Sequence, residues 1–186
     1  MGMVNDHLTW KEESRNTVFS CPIFSVGELV CRSPDNTLKT FTVLDSSDWA
    51  IVIPVVETEQ GTRFVMVKQW RHGACELSLE FPGGVFRPLE DPALAAAREL
   101  QEETGYRPNK IQKIGEFSPN PAIMSNRVHF FLAEDLENTG KTEPDEDEYL
   151  ETVLVDADEV MKNMGRPPYI HALMGTALSL YLQKNL

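Results

Sequence analysis

The sequence predicts a mixed α/β (α+β) fold, a mixed sheet between helices with a β-rich N-terminal arm. Three observations carry that expectation. Short β-rich runs bounded by turn signals recur from residue 19 to residue 155. Helical spacing with recognisable caps is confined to two or three places. The two kinds of segment do not alternate in the strict rhythm of a parallel sheet. A length of 186 residues suits one domain with a small appendage, here residues 1–45 as the arm and 46–186 as the core.

The elements follow in order. Residues 19 to 44 read as two β-rich runs around the turn Ser33-Pro34-Asp35-Asn36. "AIVIPVVE" (50 to 57) is a buried strand, Glu59-Gln60-Gly61 a turn, and "RFVMVKQWR" (63 to 71) an alternating strand, so this pair is expected as a hairpin. "LSLEF" (77 to 81) is a short strand stopped by Pro82-Gly83-Gly84. A helix comes next, with Asp91 as N-cap, Pro92 at its first position and Gly105 as a left-handed C-cap. Its alanines favour helix, Leu94 and Leu100 offer an apolar edge, and Pro108 prevents continuation. Strands are expected at Ile111–Phe117, Val128–Ala133 and Thr152–Val155, then a short helix at "DADEVMKNM". A terminal helix follows Gly165, with Ile170, Leu173, Ala177 and Leu180 at helical spacing.

Charge restricts the partners. Seventeen basic against 29 acidic residues give a net charge of −12, which disfavours a general nucleic-acid surface. An anionic substrate would need a metal ion or a local arginine cluster to overcome that field. Cys21, Cys31 and Cys75 have neither disulfide-framework nor zinc spacing, so reduced thiols in a cytoplasmic protein are expected. There is no apolar run of membrane-spanning length, and no membrane partner is expected.

The chemistry concentrates in "GGVFRPLEDPALAAARELQEETGY", residues 83 to 106. Glu99, Glu102 and Glu103 stand at i, i+3 and i+4, so they share one helix face, and Arg98 can pair with Glu102. An isolated group of this kind is usually a solvated surface. Three adjacent carboxylates otherwise need protons or hard cations, and Mg²⁺ prefers such oxygen ligands. Glu90 lies just before the helix, within reach of the cluster.

Read in full, Gly84, Glu90 and "RELQEETGY" fill every fixed position of the pattern GX5EX7REUXEEXGU, with Leu100 and Tyr106 at its apolar places. The chain therefore resembles the Nudix hydrolases. That resemblance implies the Nudix fold and Mg²⁺-dependent opening of a pyrophosphate, with Mn²⁺ able to substitute. It implies Glu99 and Glu103 as principal metal ligands, Glu102 as a shared one, and the Gly83 carbonyl as a backbone ligand. Arg98 would orient Glu102 within the catalytic set. The metal ions would activate water and spread developing charge.

Three outside stretches resemble the ADP-ribose and nucleoside-diphosphate-sugar branch. "VKQWRHG" and "LSLEFPGG" place Arg71 and Glu80 at substrate-contact positions; alternatively Arg71 ends a strand in water and Glu80 makes a local ion pair. "SPNPAIMSNRVHFFLAE" places Pro121 where that branch carries a proline loop, although it departs from the usual SPG pattern. His129 within it reads as a packed or surface side chain. "EPDEDEYLE" points to Glu148 as the general base, with Glu146 second. The resemblance also implies a homodimer, with an arm bearing Phe19, Phe24 and Phe41 that covers the nucleoside. The expected substrate is ADP-ribose or a related nucleoside diphosphate sugar. Rival readings are a nucleoside triphosphate or dinucleoside polyphosphate hydrolase, and a non-catalytic nucleotide-binding regulator.

Overall fold

The structure is a computed structural model and describes residues 6–143 and 148–184. It divides into two compact units, Met1–Ser47 with Ser118–Arg127, and Asp48–Phe117 with Val128–Leu186.

In the first unit, β1 (Lys11–Ser20), β2 (Ser25–Arg32) and β3 (Leu38–Asp45) form an antiparallel sheet in the order β1-β2-β3. The turn from β2 to β3 falls at the expected residues, where Asn36 takes a positive φ and the Thr37 N–H donates to the Ser33 hydroxyl. β1 is an addition to the sequence reading. All ten of its residues are exposed, so "KEESRNTVFS" carries no buried face to give a pattern. It is held instead by the ladder to β2 and by Arg15, which grips Asp45 at 2.7 and 2.9 Å and Glu12 at 3.0 Å. The segment Ser118–Arg127 joins this unit through the Leu44 N–H, which donates to the Ile123 carbonyl at 2.7 Å.

The second unit is a seven-stranded mixed sheet. β4 (Trp49–Thr58) forms the expected hairpin with β5 (Gly61–Arg71) and runs parallel to β9 (Val128–Asn138). β8 (Tyr106–Phe117) lies beyond β9, and β10 (Glu151–Asp156) beyond β5. β6 (Glu76–Glu80) pairs with β5, and β7 (Gly83–Val85) with β4. β7 was not expected, because three residues containing two glycines give no periodic signal. β8 begins five residues earlier than expected, directly after the helix cap and through Pro108.

Alternation along the central strands divides the core between two faces. Ala50, Val52, Phe131 and Ala133 pack with Ala96 and Leu100 of α1 (Pro92–Thr104). Ile51, Ile53, Phe130 and Leu132 face the other side, with Val160 of α2 (Ala157–Asn163) and Met174, Ala177 and Leu178 of α3 (Ala172–Lys184). Helices therefore cover both faces, as the fold class requires. Fully burying side chains such as Phe64 or Ile53 contributes about 1.5–3 kcal/mol each.

The caps of α1 are those read from sequence. The Asp91 carboxylate accepts from the Ala93 and Leu94 N–H groups, and Gly105 adopts φ 73°. The apolar edge differs: Leu94 is 67% exposed, and Ala95 and Ala96 take the buried places beside Leu100. α3 likewise begins after Ile170, and Met174 and Leu178 join Ala177 in its buried set. Among the described residues no helix is long and apolar enough to cross a membrane.

Candidate active site

β7 and α1 build the centre of the site. The register Ile51↔Gly83 and Ala50↔Gly84 sets the two glycines against β4 and below the helix. A Cβ at Gly83 would lie 2.2 Å from the Ala50 carbonyl oxygen, and one at Gly84 would lie 2.6 Å from the Glu99 carboxylate. Glycine at 83 is required by the backbone itself, and glycine at 84 leaves the Glu99 carboxylate where it lies. The Gly83 N–H also donates to Glu103 at 3.2 Å.

Arg98 organises the carboxylates. Its Nε and Nη2 donate to the two oxygens of Glu90 at 2.8 and 3.0 Å, and its Nη1 donates to Glu99 at 2.8 Å and Glu102 at 2.7 Å. Nη2 also donates to the Val85 carbonyl at 3.2 Å, tying the helix to β7. The spacing anticipated the Arg98–Glu102 contact; the clamp on Glu90 and Glu99 came only with the folded loop. Arg87 adds a second cation, 3.0 Å from the other Glu102 oxygen.

This arrangement polarises the cluster. Hydrogen bonds from Arg98 draw the Glu90 carboxyl down to about 2. Burial pushes Glu99 up, against the opposing pull of Arg98. Glu103 is pushed well above the usual carboxylate range, first by burial and then by the charges of Glu99 and Glu148. Among the described residues no three His, Cys, Asp or Glu side chains are gathered closely enough to hold an ion as they stand, and Arg98 occupies one oxygen each of Glu99 and Glu102. The donor set is nevertheless all hard oxygen, and two of its carboxylates bear their charge at a cost. It fits a divalent cation of the Mg²⁺ type.

Glu148 lines the same cavity as Glu99 and Glu102, a space of about 410 Å³ that also meets Arg87, Arg98 and Glu143. Glu146 lies outside the described residues. Arg71 and Glu80 come together as a bidentate pair, Nε to Oε1 at 2.8 Å and Nη2 to Oε2 at 2.6 Å, with Glu80 almost wholly buried. They border a cavity of about 210 Å³ that also touches Gly83 and Gly84. The ion pair proposed for Glu80 as a local feature is thus present, and it stands beside the glycines of the box. Pro121 belongs to the other compact unit, in the segment that joins β3. His129 is a packed side chain, 3.3 Å from Asp48 and against the Phe86 ring. The cysteines are free thiols.

Sequence reasoning missed Arg87, Glu143, Trp49 and His171 as cavity-lining groups. Arg87 and Glu143 sit in irregular segments with no spacing to read. His171 was hidden by treating its whole surroundings as helix.

Comparison with known proteins places these features in context. A family profile described as the NUDIX domain matches residues 48–173. Over 106 residues the chain is 40% identical to the ADP-ribose pyrophosphatase of Bacillus subtilis (strain 168), covering 56% of this chain and 57% of that protein. It is 30% identical over 129 residues to the ADP-sugar pyrophosphatase of Mus musculus, covering 64% of this chain and 57% of that protein. The matched stretch therefore spans less than two thirds of either relative. The crystal structure of an ADP compounds hydrolase superposes with a TM-score of 0.83 at 22% identity, over 95% of both chains, and shows the same fold.

Proposed function

The chain belongs to the NUDIX family, and from that premise we propose that it hydrolyses the pyrophosphate bond of ADP-ribose or a related nucleoside diphosphate sugar, using Mg²⁺ or Mn²⁺. The products would be a nucleoside monophosphate and a sugar phosphate. One observation carries the reading: among the described residues, Glu99, Glu102, Glu143 and Glu148 meet in one cavity with two arginine side chains, and the buried Glu103 is close enough to feel Glu99 and Glu148. Such an excess of negative charge suits a protein that binds an anion through cations.

Glu99, Glu103 and Glu102 would hold the metal, with the Gly83 carbonyl as a backbone ligand. A bound metal would supply positive charge to neutralise the diphosphate and would acidify a water. Arg98 fixes Glu102 and, through Glu90, the loop before the helix. Glu148, on the cavity wall, accepts the proton of the attacking water, with Glu146 the second candidate. Arg71 and Glu80 contact the substrate as a preformed pair, and Pro121 contributes from its loop. We read the protein as a cytoplasmic homodimer in a single domain whose N-terminal arm dimerises; the exposed Val18, Phe19, Leu38 and Phe41 of the arm support this.

The test is phosphate-ester release from ADP-ribose, ADP-glucose, GDP-mannose, NADH, diadenosine polyphosphates and nucleoside triphosphates, with Mg²⁺ and then with EDTA. Metal-dependent turnover concentrated on a diphosphate sugar supports the proposal. Preference for triphosphates or dinucleoside polyphosphates replaces it with that hydrolase reading. Tight binding without turnover of any of them replaces it with a regulator.

A further inference from the structure

Arg87 lines the carboxylate cavity, and the proposed function leaves it without a task. It comes from the loop between β7 and α1, and its Nη2 donates to Oε1 of Glu102 at 3.0 Å. The other oxygen, Oε2, accepts from Arg98 Nη1 at 2.7 Å. Both oxygens of Glu102 are therefore engaged by guanidiniums.

The two arginines are held very differently. The Arg98 side chain is 16% exposed and donates to Glu90, Glu99, Glu102 and the Val85 carbonyl together. The Arg87 side chain is 63% exposed, and its bond to Glu102 is its one side-chain hydrogen bond among the described residues. An exposed contact of that kind is weak, because water competes for both partners and a long side chain must be ordered to hold it.

The backbone beneath Arg87 is fixed all the same. The Phe86 N–H donates to the Asp48 carbonyl at 3.0 Å, and the Phe86 ring rests on His129. The Arg87 N–H donates to the Glu90 carboxylate at 2.9 Å, and the Arg87 carbonyl accepts from the Glu90 N–H at 3.0 Å. The side chain can thus leave Glu102 by rotating about its own bonds, with the loop in place. Glu143 and Glu148 line the same cavity, so the departing guanidinium stays among carboxylates.

Electrostatics decides which arginine gives way. A carboxylate oxygen has lone pairs for two partners. A divalent ion on a Glu102 oxygen would nevertheless sit within about 5 Å of the guanidinium nitrogen that shares it, and like charges at that range repel. Displacing Arg98 would strip Glu90 and Glu99 of their partner as well, whereas displacing Arg87 frees one oxygen and nothing else. We propose that Arg87 is a removable counter-ion, which neutralises Glu102 until a divalent cation takes Oε1 and thereby raises the cation concentration at which the site fills. The inference rests on the metal-site reading above and adds the contact that cation binding breaks.

The experiment follows Mn²⁺ binding through the EPR signal of the free ion, and Mg²⁺ binding by its competition. It uses the wild type, Arg87→Gln, Arg87→Lys, Glu102→Ala and the double variant Arg87→Gln/Glu102→Ala. Arg87→Gln is expected to bind both ions about 2- to 5-fold more tightly. Arg87→Lys keeps the charge and a donor and should bind them as the wild type does. In the Glu102→Ala background the gain from Arg87→Gln should disappear, because no contact is left to break. Phenylglyoxal labelling of the wild type, read by mass spectrometry, decides the same point without a Glu102 variant. Saturating Mg²⁺ should speed modification of Arg87 about 2- to 5-fold and leave Arg98 slow. Weaker or unchanged binding in Arg87→Gln overturns the proposal, as does equal tightening in Arg87→Lys. A gain that persists in the Glu102→Ala background assigns the effect to long-range charge and also overturns it, and so does an Arg87 labelling rate that Mg²⁺ leaves unchanged or lowers. Failure of the wild type to bind either ion sinks the metal reading of the site and this inference together. Wild-type binding with no change in Arg87→Gln removes this inference alone.

Discussion

Gly84 and Glu99 approach so closely that a methyl group on the glycine would lie 2.6 Å from the carboxylate. The neighbour differs in kind. At Gly83 the same methyl group would lie 2.2 Å from the Ala50 backbone oxygen. A side-chain carboxylate can swing away, whereas a strand carbonyl cannot. Gly84→Ala should therefore keep the fold within about 1 kcal/mol and lower kcat/KM by about 10- to 100-fold. Gly83→Ala should lose about 3 kcal/mol or more of stability. Urea unfolding and steady-state kinetics on both variants check the contrast, and equal stability losses would contradict it.

Arg98 is the counter-ion of three carboxylates at once. Arg98→Ala leaves Glu90, Glu99 and Glu102 facing one another in partial burial, which should cost about 2–3 kcal/mol without divalent ions. Mg²⁺ should restore part of this, so its stabilising effect on Tm should be larger in the variant than in the wild type. Lysine is no substitute, because a single ammonium cannot span the fork on Glu90. Identical Mg²⁺-induced shifts in Tm for wild type and Arg98→Ala would refute the counter-ion role.

The same arginine gives the fold an acid limb. The Glu90 carboxyl sits at about 2 in the folded protein, below its ordinary value, because Arg98 donates to both oxygens. A depressed folded value contributes stability that is fully present above the ordinary carboxylate range and lost as pH falls toward 2. Discounted for solvent, the contribution is about 1–2 kcal/mol. Glu90→Gln should lower stability at pH 7 and flatten its decline between pH 5 and pH 3. Parallel urea midpoints for the two proteins across that range would refute it.

Glu99 and Glu148 face one cavity with separate proposed tasks. Glu99→Gln should weaken Mg²⁺ binding and lower kcat by several orders of magnitude. Glu148→Gln should lower kcat by about 10²- to 10⁴-fold and leave Mg²⁺ affinity unchanged. Titration calorimetry with Mg²⁺ alongside single-turnover kinetics separates the two. Equal Mg²⁺ affinity in both variants would remove the division of labour.

What could be read in advance follows from periodicity and covalent logic. Asp91, Pro92 and Gly105 marked both ends of α1, because caps act within a few residues of themselves. The carboxylates at 99, 102 and 103 were legible for the same reason, being neighbours on one turn. β1 was not legible, since a strand exposed on all ten residues has no inward face to alternate with. Nor was the Arg98 clamp on Glu90, which depends on a loop folding back across eight residues. Arg71 and Glu80 were singled out by resemblance, but their bidentate pairing required the β5–β6 register that sets Val67 opposite Glu80. The place of His171 beside Arg71 and Glu80 lay furthest from view, because it comes from the start of a helix ninety-one residues beyond Glu80.

The parallel pairing of β4 with β9 has a consequence for how the molecule comes into being. β4 ends at Thr58, and its parallel neighbour begins at Val128. A ribosome therefore translates every glutamate of α1 long before the strand that completes the floor beneath it emerges. Until then the nascent chain carries the α1 carboxylates on a helix with half a platform, and long-range pairing of this kind is slow to form. Assembly of the carboxylate site is thus completed late in synthesis. A chain stalled short of residue 128 would expose the apolar faces of β4 and α1 to whatever chaperone or protease arrives first.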